Sequence, residues 1–146
     1  MYRFNPASKR LLLTIALLSG SASAWATNHN VAVGGSAGLA FVDSETGTNV
    51  TNIRAGDSVT FTNQAPFGFH NTRSDGPVTV FRCANGCDGA GGSGAPSSTG
   101  WIATITFPTV GTVNYYCEIH GAPGSGMHGT INVQTLPVEL QSFDVD

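Results

Sequence analysis

Positive charge is scarce in this chain: there are six Lys and Arg in 146 residues, and three of them, Arg3, Lys9 and Arg10, stand in the first ten. Past residue 26 there is no lysine, and Arg54, Arg73 and Arg82 face all nine acids, a formal charge of −6. Nucleic acid is thereby excluded as a partner, because phosphate binding needs clustered Lys and Arg. Long apolar runs are also missing. The one that exists, Leu11 to Leu18, is too short to cross a bilayer, so the chain is not expected to span a membrane. No ten-residue segment carries a helical apolar period. No Ser-His-Asp set or phosphate-binding loop can be assembled, and the chain is not read as an enzyme.

The basic start, the apolar run and the small residues Ser19 to Ala26 have the anatomy of a secretory leader. Cleavage is expected after Ala24 or after Ala26, the second preferred, delivering the rest to the periplasm or the outside of the cell. The remainder reads as one domain, residues 27–135, followed by a tail, residues 136–146. That tail suits an edge strand, a frayed end or the remnant of a sorting signal. A monomer is expected.

Val, Thr, Ile and Phe recur in short runs punctuated by Gly, Asn, Asp and Pro, the pattern of an all-β antiparallel sandwich or barrel. Strands are predicted at Asn30–Val33, Leu39–Val42, Val50–Ile53, Ser58–Asn63, Val78–Arg82, Ile102–Phe107, Thr112–Cys117 and Gly129–Gln134. Alternation is clearest in Ser58–Asn63, with Val59 and Phe61 facing inward. The Gly- and Ser-rich stretch Asp88 to Gly100 reads as a flexible surface excursion.

Chemistry concentrates in Tyr115-Tyr116-Cys117-Glu118-Ile119-His120 and the glycine-rich run that follows to Met127-His128-Gly129. A second His-Asn pair, His70-Asn71, lies far upstream. A single histidine is usually structural, and a Cys-x-x-His pair alone also occurs in zinc sites. Two histidines, a cysteine and a methionine together form the donor set of a mononuclear copper electron-transfer site, since imidazole suits Cu(II) and soft sulfur suits Cu(I). His128 competes with Met127. Neighbours on a strand point to opposite faces, so only one can face the metal, and Met127 is preferred.

Tyr116-Cys117-x-x-His120, the approach to Met127-x-Gly129-Thr130-Ile131, Phe69-His70-Asn71 and Ile53-x-x-Gly56-Asp57-x-Val59-x-Phe61-x-Asn63 resemble plastocyanin/azurin-type cupredoxins, the type 1 blue copper proteins. The resemblance runs from Leu39 to Val133. It implies a cupredoxin-like Greek-key β-sandwich of about eight strands with the copper site, one ion per chain, at one end. It further implies His70, Cys117 and His120 as the strong equatorial ligands, Met127 as the weak axial one, and Asn71 as a brace between ligand loops. The six residues between His120 and Met127 make a longer gap than the plastocyanin pattern has, so the axial position is where the chain departs from it. The implied role is a one-electron carrier between exported redox proteins. The alternative is a periplasmic copper protein for transport or storage, with the ion as cargo; a chain whose methionines are Met1 and Met127 alone suits that less well.

Three cysteines make an odd count. Cys83 and Cys87 suit a small disulfide in an oxidising compartment, contributing about 2 kcal/mol by chain entropy; a second metal or redox pair is the competing reading. Cys117 is then the leftover thiol, which copper ligation would protect. If cleavage follows Ala26, Thr27-Asn28-His29 offers an amine, two amides and an imidazole for a square-planar Cu(II) site, against the simpler reading of a strand-edge histidine.

Overall fold

The computed structural model describes residues 25–135. Residues 1–24 of the expected leader and the expected tail, 136–146, lie outside the described residues. Within them run β1 (Asn28–Gly34), β2 (Phe41–Asp43), β3 (Val50–Arg54), β4 (Ser58–Gln64), β5 (Thr72–Asp75), β6 (Arg82–Ala84), β7 (Gly86–Cys87), β8 (Ile102–Thr106), β9 (Gly111–Ala122) and β10 (Ser125–Gln134). They form two sheets, β2-β1-β4-β8 and β3-β10-β9-β5-β6-β7, so the expected all-β sandwich is what the chain adopts.

Local alternation supplies the inner faces. Val59, Phe61 and Asn63 of β4 are buried while Ser58, Thr60 and Thr62 are partly exposed. Phe41, Phe61 and Tyr115 meet edge to face between the sheets, at 4.8 Å for Phe41–Tyr115 and 5.1 Å for Phe61–Tyr115. Each buried ring contributes about 1.5–3 kcal/mol by leaving water. Strand direction is not encoded locally, and two pairs depart from the antiparallel expectation: β1 runs parallel to β4, and β3 to β10.

Other expectations need correction. β5, Thr72-Arg73-Ser74-Asp75, has no apolar alternation and owes its form to pairing with β9 and β6. The strand predicted at Val78–Arg82 begins only at Arg82, because Val78 and Val80 are exposed and have no sheet to cover. Thr112–Cys117 and Gly129–Gln134 are halves of a longer hairpin, closed where Ala122 pairs with Ser125 across Pro123-Gly124, with Gly124 at φ +69°. His120 and Met127 therefore stand on strands rather than in a loop. The stretch 88–100 is anchored to the domain. Asn85 and Ser93 bridge at its base, Ser97 bridges His70, and Gly94 is buried.

Asp57 closes the end of the sandwich near Thr27. Its carboxylate accepts the backbone N–H of Thr27 at 2.7 Å and of Arg54 at 2.8 Å. Burial opposes the charge, yet these bonds and His29 outweigh it and hold the carboxyl below its ordinary range. The stability this supplies is complete above the unfolded-chain value and disappears as pH falls through the folded one. Asp57→Asn is expected to cost about 1–3 kcal/mol at neutral pH. Urea midpoints of the two proteins should converge as pH falls through the folded carboxyl's lowered value; a gap that persists unchanged in acid would refute the assignment.

Candidate metal centre

Three donors from two places in the chain meet at one end of the sandwich. Cys117, in β9, turns inward by strand alternation and is fully buried; it is the free cysteine. His120, three residues on, is half-buried. His70 arrives from the connection between β4 and β5 and is 2 % exposed. The Cys117 sulfur lies 3.8 Å from His70 Nδ1 and 3.7 Å from His120 Nδ1, and the two nitrogens are 3.1 Å apart. A triangle with those sides has a centre about 2.1 Å from each corner, the length of a metal–imidazole bond and slightly short of a metal–thiolate bond. Among the described residues no other group of three or more His, Cys, Asp or Glu is close enough to hold a metal.

His70 is kept in the form that can ligate. Burial, and then the neighbouring charge of His120, push its pKa down, so the neutral imidazole is favoured. Its backbone is fixed on both sides. The N–H donates to Ser97 O at 3.2 Å, and the carbonyl accepts from Ser97 N at 2.9 Å and from Trp101 Nε1 at 3.1 Å. The ring fits because two glycines leave room for it: a Cβ on Gly68 would stand 2.1 Å from His70 Nε2, and one on Gly34 2.6 Å.

Asn71 is fully buried and ties the segment of His70 to that of Cys117. Its Nδ2 donates to Gly94 O at 2.9 Å and to Glu118 Oε2 at 2.6 Å, while its Oδ1 accepts the Glu118 N–H at 3.0 Å. Glu118 also accepts from Arg73 Nη1 and Arg82 Nε, each at 2.7 Å. Burial alone would raise the Glu118 pKa; bonds from Arg73, Arg82 and Asn71 overcome it and hold the carboxyl below the usual range.

Met127 enters from β10, fully buried on the inner face with Gly129 and Ile131. Its backbone packs on Gly121, where a Cβ would stand 2.4 Å from the Met127 carbonyl oxygen. The register shifts between Gly126 and His128, which places Met127 at an irregularity of the hairpin. His128 pairs with Tyr116 on the opposite face, and its Nδ1 lies 2.9 Å from Gly126 O.

The N-terminal square-planar site is not assembled. Residues 28 and 29 are paired with β4, Thr27 N–H is taken by Asp57, and the His29 ring is buried between Glu45 and Asp57, 3.4 Å from each carboxylate. Wrapping an ion there would require unzipping the first strand. Cys83 and Cys87 are joined as a disulfide, with Arg82 and Asp88 immediately outside it.

The sequence reading missed the glycine cradle, the Trp101 anchor and the Glu118 cluster. A weak signal existed for the last: with three arginines past residue 26, two converging on one carboxylate is a large share. Partners that distant in sequence are not pairable without the fold.

No family model and no curated protein matches the chain in sequence. Solved structures do resemble it. A pseudoazurin from Sinorhizobium meliloti is 25% identical over 74% of this chain and 74% of its own, with a TM-score of 0.46. A variant amicyanin in its reduced state is 22% identical over 72% of this chain and 80% of its own, with a TM-score of 0.48. Pseudoazurin from Hyphomicrobium denitrificans is 21% identical over 73% and 74%, with a TM-score of 0.47. The two-sheet fold and the donor set of this chain agree with the cupredoxin resemblance of its sequence, and the set suits one copper ion.

Proposed function

We propose that this protein is an exported one-electron carrier that holds one copper ion on His70, Cys117 and His120, with Met127 as the weak axial ligand. The observation that supports this most directly is the preassembled donor triangle, with sides of 3.1, 3.7 and 3.8 Å around a buried thiol. Bound there, copper supplies a Cu(I)/Cu(II) couple, served by imidazole in one state and sulfur in the other. The chain's part is to keep the donors still. Trp101 and Ser97 hold the His70 segment in place, and Asn71 ties it to the Cys117 segment, which limits rearrangement as charge changes. His70 is enclosed, while His120 is nearer solvent and flanked in sequence by Ile119, 53 % exposed. Phe67 and Phe69, beside His70, are half exposed, as suits a face that a redox partner covers.

Reconstitution with Cu(II) tests the reading. An intense visible band and narrow copper hyperfine splitting in electron paramagnetic resonance are expected, with the ion retained against a chelator through repeated redox cycles. A colourless product, or loss of the ion on the first reduction, would overturn it. Met127→Leu should keep the colour and move the potential; an unmoved potential would take the axial role from Met127.

Docking is tested at the exposed hairpin turn. Pro123→Glu leaves every ligand in place and introduces charge beside the His120 end, so its spectrum should match the parent's. Its electron-transfer rate with an exported partner should fall on the order of tenfold. Equal rates would move the docking face elsewhere.

A further inference from the structure

An ionic cluster centred on Glu118 lies beside Cys117. Glu118 follows the cysteine in β9 and faces away from the core. Its Oε1 accepts from Arg73 at 2.7 Å and its Oε2 from Arg82 at 2.7 Å and Asn71 at 2.6 Å. Arg82 continues to Asp88 Oδ2 at 3.0 Å, and Asp88 Oδ1 accepts the Gly94 N–H at 2.7 Å. Gly94 O accepts from Asn71, which closes a ring of contacts around the residue next to His70. Arg82 and Asp88 flank the disulfide in sequence, and Asp88 N donates to Arg82 O at 3.0 Å.

The arrangement is more than a surface ion pair. Glu118 is the only acid adjacent to a candidate ligand, and its side chain is 19 % exposed against 34 % for Arg82 and 48 % for Arg73. A partly shielded charge is screened less than a free surface one. A carboxylate one residue from the thiolate stabilises the more positive oxidation state of a metal held there, and a guanidinium on that carboxylate cancels the preference.

Resting on the copper-carrier reading, we propose that Glu118 and Arg82, with Arg73 in a smaller part, are positioning residues that set the potential of the centre through opposed charges while clamping Asn71 between the ligand segments. The sign separates this from a purely structural role. Glu118→Gln, which keeps an acceptor for Asn71, shifts the midpoint potential upward. Arg82→Gln shifts it downward, Arg73→Gln shifts it downward by less, and the double Glu118→Gln/Arg82→Gln returns toward the parent. Arg54→Gln is the control. It removes the same charge where β3 pairs with Gln134, about 23 Å along β10 from Met127 at about 3.3 Å per residue, and leaves the potential in place.

The experiment is an equilibrium redox titration of copper-reconstituted parent and variants, with thermal unfolding of the copper-free proteins alongside. Opposite shifts with the blue band retained, and lower melting temperatures for Glu118→Gln and Arg82→Gln without copper, support the proposal. Shifts in one direction, or none, in a protein that stays blue overturn it while leaving the carrier reading intact. A parent that never turns blue overturns the carrier reading and this proposal with it. Should Glu118→Gln not fold, Arg82→Gln and Arg73→Gln measured against Arg54→Gln carry the same sign requirement.

Discussion

The Cys117→Ser protein is expected to keep its fold and lose the intense visible absorption completely. The fold survives because serine is close in shape to cysteine and its hydroxyl has company. The ring nitrogens of His70 and His120 lie 3.8 and 3.7 Å from the sulfur it replaces, close enough for a small relaxation to restore hydrogen bonds. An unsatisfied hydroxyl in that buried position costs about 1–3 kcal/mol, an upper bound on the stability loss. The effect on the metal is far larger. A serine oxygen is a hard donor that stays protonated at neutral pH, so the soft ligand that suits Cu(I) is gone. Affinity for Cu(I) should fall by more than the roughly 10- to 100-fold that loss of an outer supporting contact costs. Any Cu(II) still bound by the imidazoles should show broad hyperfine splitting. Zinc gives a colourless control in the parent, since it accepts the same nitrogen and sulfur donors. Blue colour surviving in the serine protein would show that Cys117 is not a ligand.

The candidate donors stand out in the sequence because they carry rare chemistry in a chain otherwise poor in it. Cys117, His120 and Met127 crowd one short segment, and the odd cysteine count singles out Cys117. Core strands were legible where burial is one-sided: Val59 and Phe61 alternate with Thr60 and Thr62, and β4 follows that pattern. What stayed hidden depends on contacts between distant segments. β5 has no apolar signature and exists through its neighbours. The stretch 88–100 reads as slack because Gly and Ser are common in slack loops. Its job of holding His70 and Asn71 is done by the backbone of Ser97 and Gly94, which any residue possesses. In the Asp88–Arg82–Glu118 chain, the ion pair from Arg82 to Glu118 joins residues 36 apart in sequence. Sequence patterns mark which residues bear chemistry; the residues that hold them still are marked by the fold.

Glycine has two separable reasons to be at position 34, and a pair of substitutions tells them apart. Gly34 ends β1 with φ +65° and ψ −133°, an extended positive-φ conformation that costs an L residue on the order of 1–3 kcal/mol. Gly38 has nearly the same conformation, φ +71°, with nothing within 4 Å of where a Cβ would sit. Backbone cost is therefore common to Gly34→Ala and Gly38→Ala, and both should lower the urea midpoint by similar amounts. Only the first also collides with the centre: its methyl would stand 2.6 Å from His70 Nε2 and 2.8 Å from Cδ2. The ring already fills the space that a Cβ on Gly68 would need, and its backbone is fastened by Ser97 and Trp101. It must tilt, and tilting moves Nδ1 off the donor triangle. Gly34→Ala is expected to lower copper affinity about 10- to 100-fold, the scale set by loss of ligand support, and to broaden the hyperfine splitting. Gly38→Ala should bind copper as the parent does. Equal copper loss in both proteins would place the cause in the backbone and acquit the imidazole. Unimpaired copper binding by Gly34→Ala would mean that His70 does not hold the metal from the position its neighbours give it.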